Sequence, residues 1–263
     1  MQAVLSGFLA ATLALFTISH NRNETKKESA NKNAAAVSAP QGSGYTVAAV
    51  TNGGSIAGAV TYAGKAPAPK KLSVTKDTQV CGKVAHMDES LVVAAKGGVK
   101  DVIVSIKGIK SGKGLETLGA SFVLDQKGCL YSPHVSLVPV NATLKILNPD
   151  GILHNIHTYS TKNPAFNKSQ PQFKKEMTTT FAQPELITAK CDVHGWMSSN
   201  IRVIEHPYYV ITDANGAFKL AEVPPGTYTV EFWQEKLGTK TAQVTVAAGQ
   251  AATLNFAYPA AAN

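Results

Sequence analysis

Past residue 53 the chain never sustains a helical period. Short apolar and β-branched runs alternate instead with clusters of Gly, Pro, Asn and Asp. Ser55–Tyr62 is the first such run. Val99–Lys107 alternates apolar and polar positions at period two, which marks a strand with one covered face. Ser121–Leu124, Val135–Val140, Thr143–Leu147, Thr178–Phe181, Leu186–Ala189 and Asn200–Ile204 follow, with turn stretches such as Asn148-Pro-Asp-Gly151 between them. Many short strands at this spacing predict an all-β sandwich or barrel. A second series begins after His206 with Tyr208–Thr212, Ala217–Leu220, Thr227–Trp233, Thr241–Val246 and Ala252–Phe256. Asp213-Ala-Asn-Gly216 and Pro224-Pro-Gly226 separate its first strands; Asp and Asn tolerate left-handed backbone, Gly supplies positive φ, and Pro fixes φ at a turn entry. Five short strands are enough for a second small β-sandwich, marginal without a neighbour to pack on. Residues 66–97 show no clear period and read as an irregular excursion.

The N-terminus differs. Met1–Ser19 is nearly all apolar or small, and the run Val4–Ile18 is shorter than the roughly 20 residues of a membrane span. Residues 1–19 therefore read as a signal peptide or an uncleaved membrane anchor. His20–Tyr45 is rich in Asn, Lys, Glu, Ala and Ser without an apolar period, as in a flexible tether. The expected organisation is 1–19 export segment, 20–53 linker, 54–206 first sandwich and 207–258 second sandwich. The expected location is periplasmic or extracellular, either soluble or tethered to a membrane through the N-terminus.

Charged residues make up 16% of the 263, below the roughly 25% of an ordinary soluble protein. The formal net charge of +8 suits an anionic membrane surface or an acidic protein partner. Nucleic acid is excluded, because the lysines are scattered and no recognition helix, RNA-binding aromatic signature or zinc-finger spacing occurs.

Candidate chemistry concentrates in Lys190-Cys-Asp-Val-His-Gly-Trp-Met197, where Cys191, His194 and Met197 recur at i, i+3 and i+6. A thiolate is a strong soft donor, an imidazole is intermediate and a thioether is weak. Two His, one Cys and an axial Met form the set that favours copper and electron transfer. The second His comes from Leu147–His157, which offers His154 and His157. Three apart in a strand, these point to opposite faces. His154, at the end of the turn, is the chosen ligand. Zinc is the rival ion, though Met is a poor zinc ligand; four unrelated core side chains are the bland alternative. With Cys191 in this motif, Cys81 and Cys129 remain as the candidate disulfide, with three separate buried thiols as the alternative. His134 is a strand-edge residue or a further ligand, His86-Met87 a weak copper site, and His206 a structural residue at the junction.

The two segments resemble the cupredoxins, or blue-copper proteins. The Cys-x-x-His-x-x-Met loop is most similar to that of amicyanin, and Asn-x-Asp-x-x-x-His-Asn to the upstream loop of amicyanin and plastocyanin. The resemblance implies a Greek-key cupredoxin sandwich whose His154, Cys191, His194 and Met197 hold one copper ion cycling between Cu(II) and Cu(I). It also implies that Asn155 ties the upstream loop to the ligand loop. His194 would lie nearest the surface as the electron port, with Trp196 and Gly195 shaping a docking patch. Trp196 inside the loop and the length of residues 66–125 depart from the pattern. Farther on, Val210–Phe218 and Val223–Val230 resemble the carboxypeptidase regulatory-like, transthyretin-like sandwich, which implies a fold but no activity.

The expected function is an exported one-electron carrier serving a redox protein such as a c-type cytochrome or dehydrogenase. A copper buffer or delivery protein is the first alternative, and a structural two-sandwich protein with a vestigial site the second. Lys162, Lys168, Lys174 and Lys175, between the two ligand segments, would steer an acidic partner or form a solvated face. An enzyme is not expected. No Ser-His-Asp set, His-Glu-x-x-His or Cys-x-x-Cys-His occurs, and seven His do not make a multinuclear oxidase.

Overall fold

A computed structural model describes residues 44–260. The expected export segment and residues 20–43 of the expected linker lie outside them. Among the described residues, no helix is long and apolar enough to cross a membrane.

The regular structure of the described chain is nearly all strand. It opens with β1 (Thr46–Val47), β2 (Gly54–Tyr62), a single helical turn α1 (Thr78–Cys81), β3 (Ile103–Ile106) and β4 (Ser111–Gly112). The middle holds β5 (Phe122–Asp125), β6 (Val135–Pro139), β7 (Leu144–Leu147), β8 (His154–Tyr159), β9 (Asn167–Gln170), β10 (Glu176–Thr179), β11 (Glu185–Lys190) and β12 (Ser198–Ile204). The last part holds β13 (Tyr209–Ile211), β14 (Ala217–Val223), β15 (Gly226–Gln234), β16 (Gly238–Val246), β17 (Ala251–Thr253) and β18 (Phe256–Tyr258).

Strands β5 to β12 build the first sandwich. One sheet runs β10-β7-β5 and the other β6-β12-β11-β8-β9. Alternate residues point inward, and Leu124, Val138, Leu144, Ile146, Ile156, Phe181, Ile187, Ile201 and Val203 fill the space between them. Cys191 and Met197 belong to this same core.

The second sandwich has sheets β13-β3-β15-β16 and β14-β2-β17, with β18 also on β2. Its core contains Ile56, Val60, Val104, Ile106, Tyr208, Val230, Phe232 and Tyr258. Gly58 lets the return strands lie against β2, because a Cβ there would stand 2.0 Å from the Leu254 carbonyl oxygen.

This pairing corrects the expected boundary at 206/207. Strands β2 and β3 lie inside the expected 54–206 unit, yet find their hydrogen-bond partners among β13–β18. The physical reason is that the C-terminal strands alone cannot cover both faces of a core. The second sandwich is completed by chain from before the first. Val99–Lys107 departs from the expected one-faced strand: all of β3 is buried, Ser105 included, so both of its faces are covered, and neighbours in the sheet pair with both of its edges. The short strands β1, β4 and β9 were not among the expectations, and β8 was expected only as the strand that His154 opens; polar residues of β8 and β9 serve the site described next.

Candidate metal centre

The centre forms where three adjacent strands end. His154 opens β8, and the segment 191–197 joins β11, which pairs with β8, to β12 on the other side of β11 in the same sheet. The segment closes on itself. The Met197 amide donates to the His194 carbonyl at 2.9 Å, and the Cys191 amide to the Met197 carbonyl at 3.2 Å. This tight turn brings Cys191, His194 and Met197 into the core, each no more than 2% exposed.

Three donor atoms converge there. His154 Nδ1 lies 3.0 Å from His194 Nδ1, and Cys191 Sγ lies 3.7 Å from His194 Nδ1. The other face of each imidazole meets a carboxylate. His154 Nε2 is 3.0 Å from Asp150 Oδ2, and His194 Nε2 is 2.8 Å from Asp77 Oδ2. An ionised carboxylate only accepts, so each Nε2 carries the proton and donates. With Nε2 as the donor on each ring, the two Nδ1 atoms are left facing each other. At 3.0 Å they are placed to share a proton or to hold a metal ion between them. A soft thiol beside them completes a donor set that fits a metal ion such as copper.

The surroundings fix these rings. Asp150 is held by the amides of Gly128 at 2.7 Å and Cys129 at 2.8 Å. Burial lowers the pKa of His154 against the opposing pull of Asp150, which favours the neutral, metal-ready ring. Asn155 spans the two loops: its Oδ1 accepts from the amides of Asp192 at 2.7 Å and Val193 at 3.3 Å, and lies 3.3 Å from Cys191 Sγ. Its Nδ2 donates to Asn167 Oδ1 at 2.6 Å. Below it, Tyr131 donates to the Asn155 carbonyl, and burial pushes the Tyr131 phenol well above its ordinary value.

Cys81 and Cys129 form a disulfide, and Cys191 is the free, buried cysteine. Cys129 also stands within ligand distance of Asp150 and His154, but the disulfide occupies its sulfur. His157 points away from the cluster and pairs with Asp192 at 3.1 Å. His134 pairs with Glu235 at 2.7 Å, and His86 Nε2 lies 2.8 Å from the Cys81 carbonyl. Burial pulls His206 down to about 4.

The expectation that His194 forms an exposed port is corrected. The residue is fully buried, because the excursion of residues 66–97 folds over it and presents Asp77. Trp196 is half-buried rather than a free surface patch: its ring lies 5.1 Å from that of His194 and its Nε1 donates to the Cys129 carbonyl at 3.0 Å. Gly195 is exposed. Asp150 and Asp77 were missed as site residues. Asp150 stands four residues before His154, a spacing that could have found it; Asp77 is 117 residues from His194 and gave no signal.

Residues 198–259 match the family of carboxypeptidase regulatory-like domains. No curated protein matches the chain. Among solved structures, a methionine-to-alanine mutant of amicyanin in its Cu(I) form is similar at 18% identity, covering 32% of this chain and 82% of that one, with a TM-score of 0.30. A purple cupredoxin from Nitrosopumilus maritimus is similar at 19% identity, over 32% of this chain and all of that one, with a TM-score of 0.28. A copper-containing nitrite reductase from Thermus scotoductus is similar at 22% identity, over 38% of this chain and 25% of that one, with a TM-score of 0.30. The metal reading therefore rests on the ligand geometry, not on these partial matches.

Proposed function

We propose that this chain is an exported copper protein that carries single electrons, with His154, Cys191, His194 and Met197 holding one ion. The supporting observation is the pair of facing Nδ1 atoms at 3.0 Å, with a buried thiol beside them and a carboxylate behind each ring. A bound copper ion would supply the one-electron couple.

The protein residues do the rest. Asp150 and Asp77 orient the two imidazoles and make them stronger donors, which favours the more highly charged oxidised ion and lowers the potential. Asn155 fixes Cys191 and its loop, so the donors stay in place when the charge changes. The buried core around Cys191 and Met197 excludes water. Lys162, Lys168, Lys174 and Lys175 are all exposed and suit steering of an acidic redox protein, such as a c-type cytochrome or dehydrogenase. The carboxypeptidase regulatory-like sandwich acts as a spacer or docking module rather than an enzyme.

Burial of His154, Cys191, His194 and Met197 argues against the delivery reading, because an acceptor must reach a ligand to take the metal. Reversible voltammetry of the copper-loaded protein tests the choice. A one-electron wave with rapid self-exchange supports the carrier. Transfer of Cu(I) to an acceptor without a reversible wave supports delivery instead.

A further inference from the structure

Residues 66–97 do more than extend the chain. Asp77 precedes α1 with φ +49°, a left-handed backbone conformation that places its carboxylate on His194 Nε2. Four residues on, Cys81 is fully buried and bonded to Cys129. Farther along, His86 is also fully buried, holds the Cys81 carbonyl at 2.8 Å, and packs edge-on against Trp196 at 5.7 Å. Trp196 in turn lies against His194 and donates to the Cys129 carbonyl. Val74 and Val80 pack on the first core. The end of the segment is tied down as Gln234 Nε2 donates to the Ser90 carbonyl at 2.7 Å. These contacts form one continuous chain from the disulfide to the far face of a metal-ligating ring.

Building on the copper reading, we propose that residues 66–97 are a strap fastened by Cys81–Cys129, on which Asp77 is the positioning residue for His194. The strap covers the imidazole edge that would otherwise face solvent. It sets how fast metal ions and competing ligands reach the site. Electrons then cross the His194–Asp77 hydrogen bond instead of leaving from a bare histidine edge. Asp77 can play this role without supporting the fold, since its side chain is 37% exposed while that of His194 is 0% exposed.

The test uses the exported chain and its Asp77→Ala, Asp77→Asn and Cys81→Ser/Cys129→Ser variants, with two readouts. The first is solvent exchange of the His194 Nε2 proton by ¹⁵N NMR on metal-free protein. The second is the rate at which the chelator bathocuproine disulfonate removes Cu(I). The proton is expected to be protected in the parent and exposed in Asp77→Ala. Copper removal should quicken about tenfold in Asp77→Ala, the scale of one charge-assisted hydrogen bond. Asp77→Asn, whose amide oxygen still accepts, should fall between. The disulfide variant should match or exceed Asp77→Ala. An Asp77→Ala protein with a protected Nε2 proton and an unchanged removal rate overturns the strap, whatever the double-serine variant does. A parent that protects the proton but binds no copper sinks the copper reading and leaves the strap standing.

Discussion

Replacing Glu185 with Gln removes the charge that anchors the loop between β8 and β9. In the native chain, Glu185 Oε1 accepts from the Thr161 amide, from Thr161 Oγ1 at 2.9 Å and from the Lys162 amide at 3.0 Å. Its Oε2 accepts from the amide and the side-chain Nδ2 of Asn163, both at 3.0 Å. Burial by itself pushes this carboxyl up, but the donors outweigh it and bring the pKa from 4.5 down to about 2. Five donors met by one carboxylate cannot be met by a glutamine, whose NH₂ would face donors. The shift corresponds to about 3 kcal/mol at 1.36 kcal/mol per pH unit. Because the folded pKa lies below the unfolded one, this stabilisation is complete above about pH 4.5 and fades as pH falls towards 2, with roughly half left near pH 3. Urea denaturation of the parent and Glu185→Gln should therefore differ by about 2–3 kcal/mol at neutral pH, and by about half that near pH 3. Equal stability at neutral pH, or a gap that ignores pH, would refute the reasoning.

Three further outcomes are expected. Burial pulls His206 from its ordinary 6.5 to about 4, so the folded state holds it neutral where the unfolded chain protonates it. Stability should thus rise by roughly 3 kcal/mol as pH climbs from about 4 to 6.5, and a His206→Gln variant should lose that slope in urea unfolding. Cys81→Ser with Cys129→Ser opens a bridge of sequence separation 48 and should cost about 4 kcal/mol on loop-closure grounds, read from thermal unfolding against the oxidised parent. Asn155→Ala leaves the Asp192 and Val193 amides unpartnered. Hydrogen exchange at those two amides should speed up, with a stability loss of about 2 kcal/mol.

Local chemistry was readable in the sequence where it was packed into a few residues. The 191–197 spacing places three donors within two turns of chain, and the neighbouring strand could be found by its own His154. Strand identity in the first sandwich was legible from short apolar and β-branched runs set between turn residues, as in Val135–Val140 and Leu186–Ala189. Long-range pairing was not. Nothing in Ser55–Tyr62 says that its partners are Ala217–Val223 and Ala251–Thr253 rather than the strands that follow it, because the same alternation fits either sheet. Strand β8 was legible only through its His154: His154, Asn155 and Thr158 break the apolar pattern, since their burial is satisfied by hydrogen bonds to the site and the loop beside it. Asp77 was invisible because its partner lies across the fold, and only the folding of residues 66–97 over the ligand loop brings the two together.

The copper assignment faces its most direct test in the visible and electron paramagnetic resonance spectra of the protein after one equivalent of Cu(II), with Cys191→Ser as control. An intense blue or green thiolate-to-copper band, absent in Cys191→Ser, is the predicted result. A colourless protein that takes up zinc or nothing would contradict it.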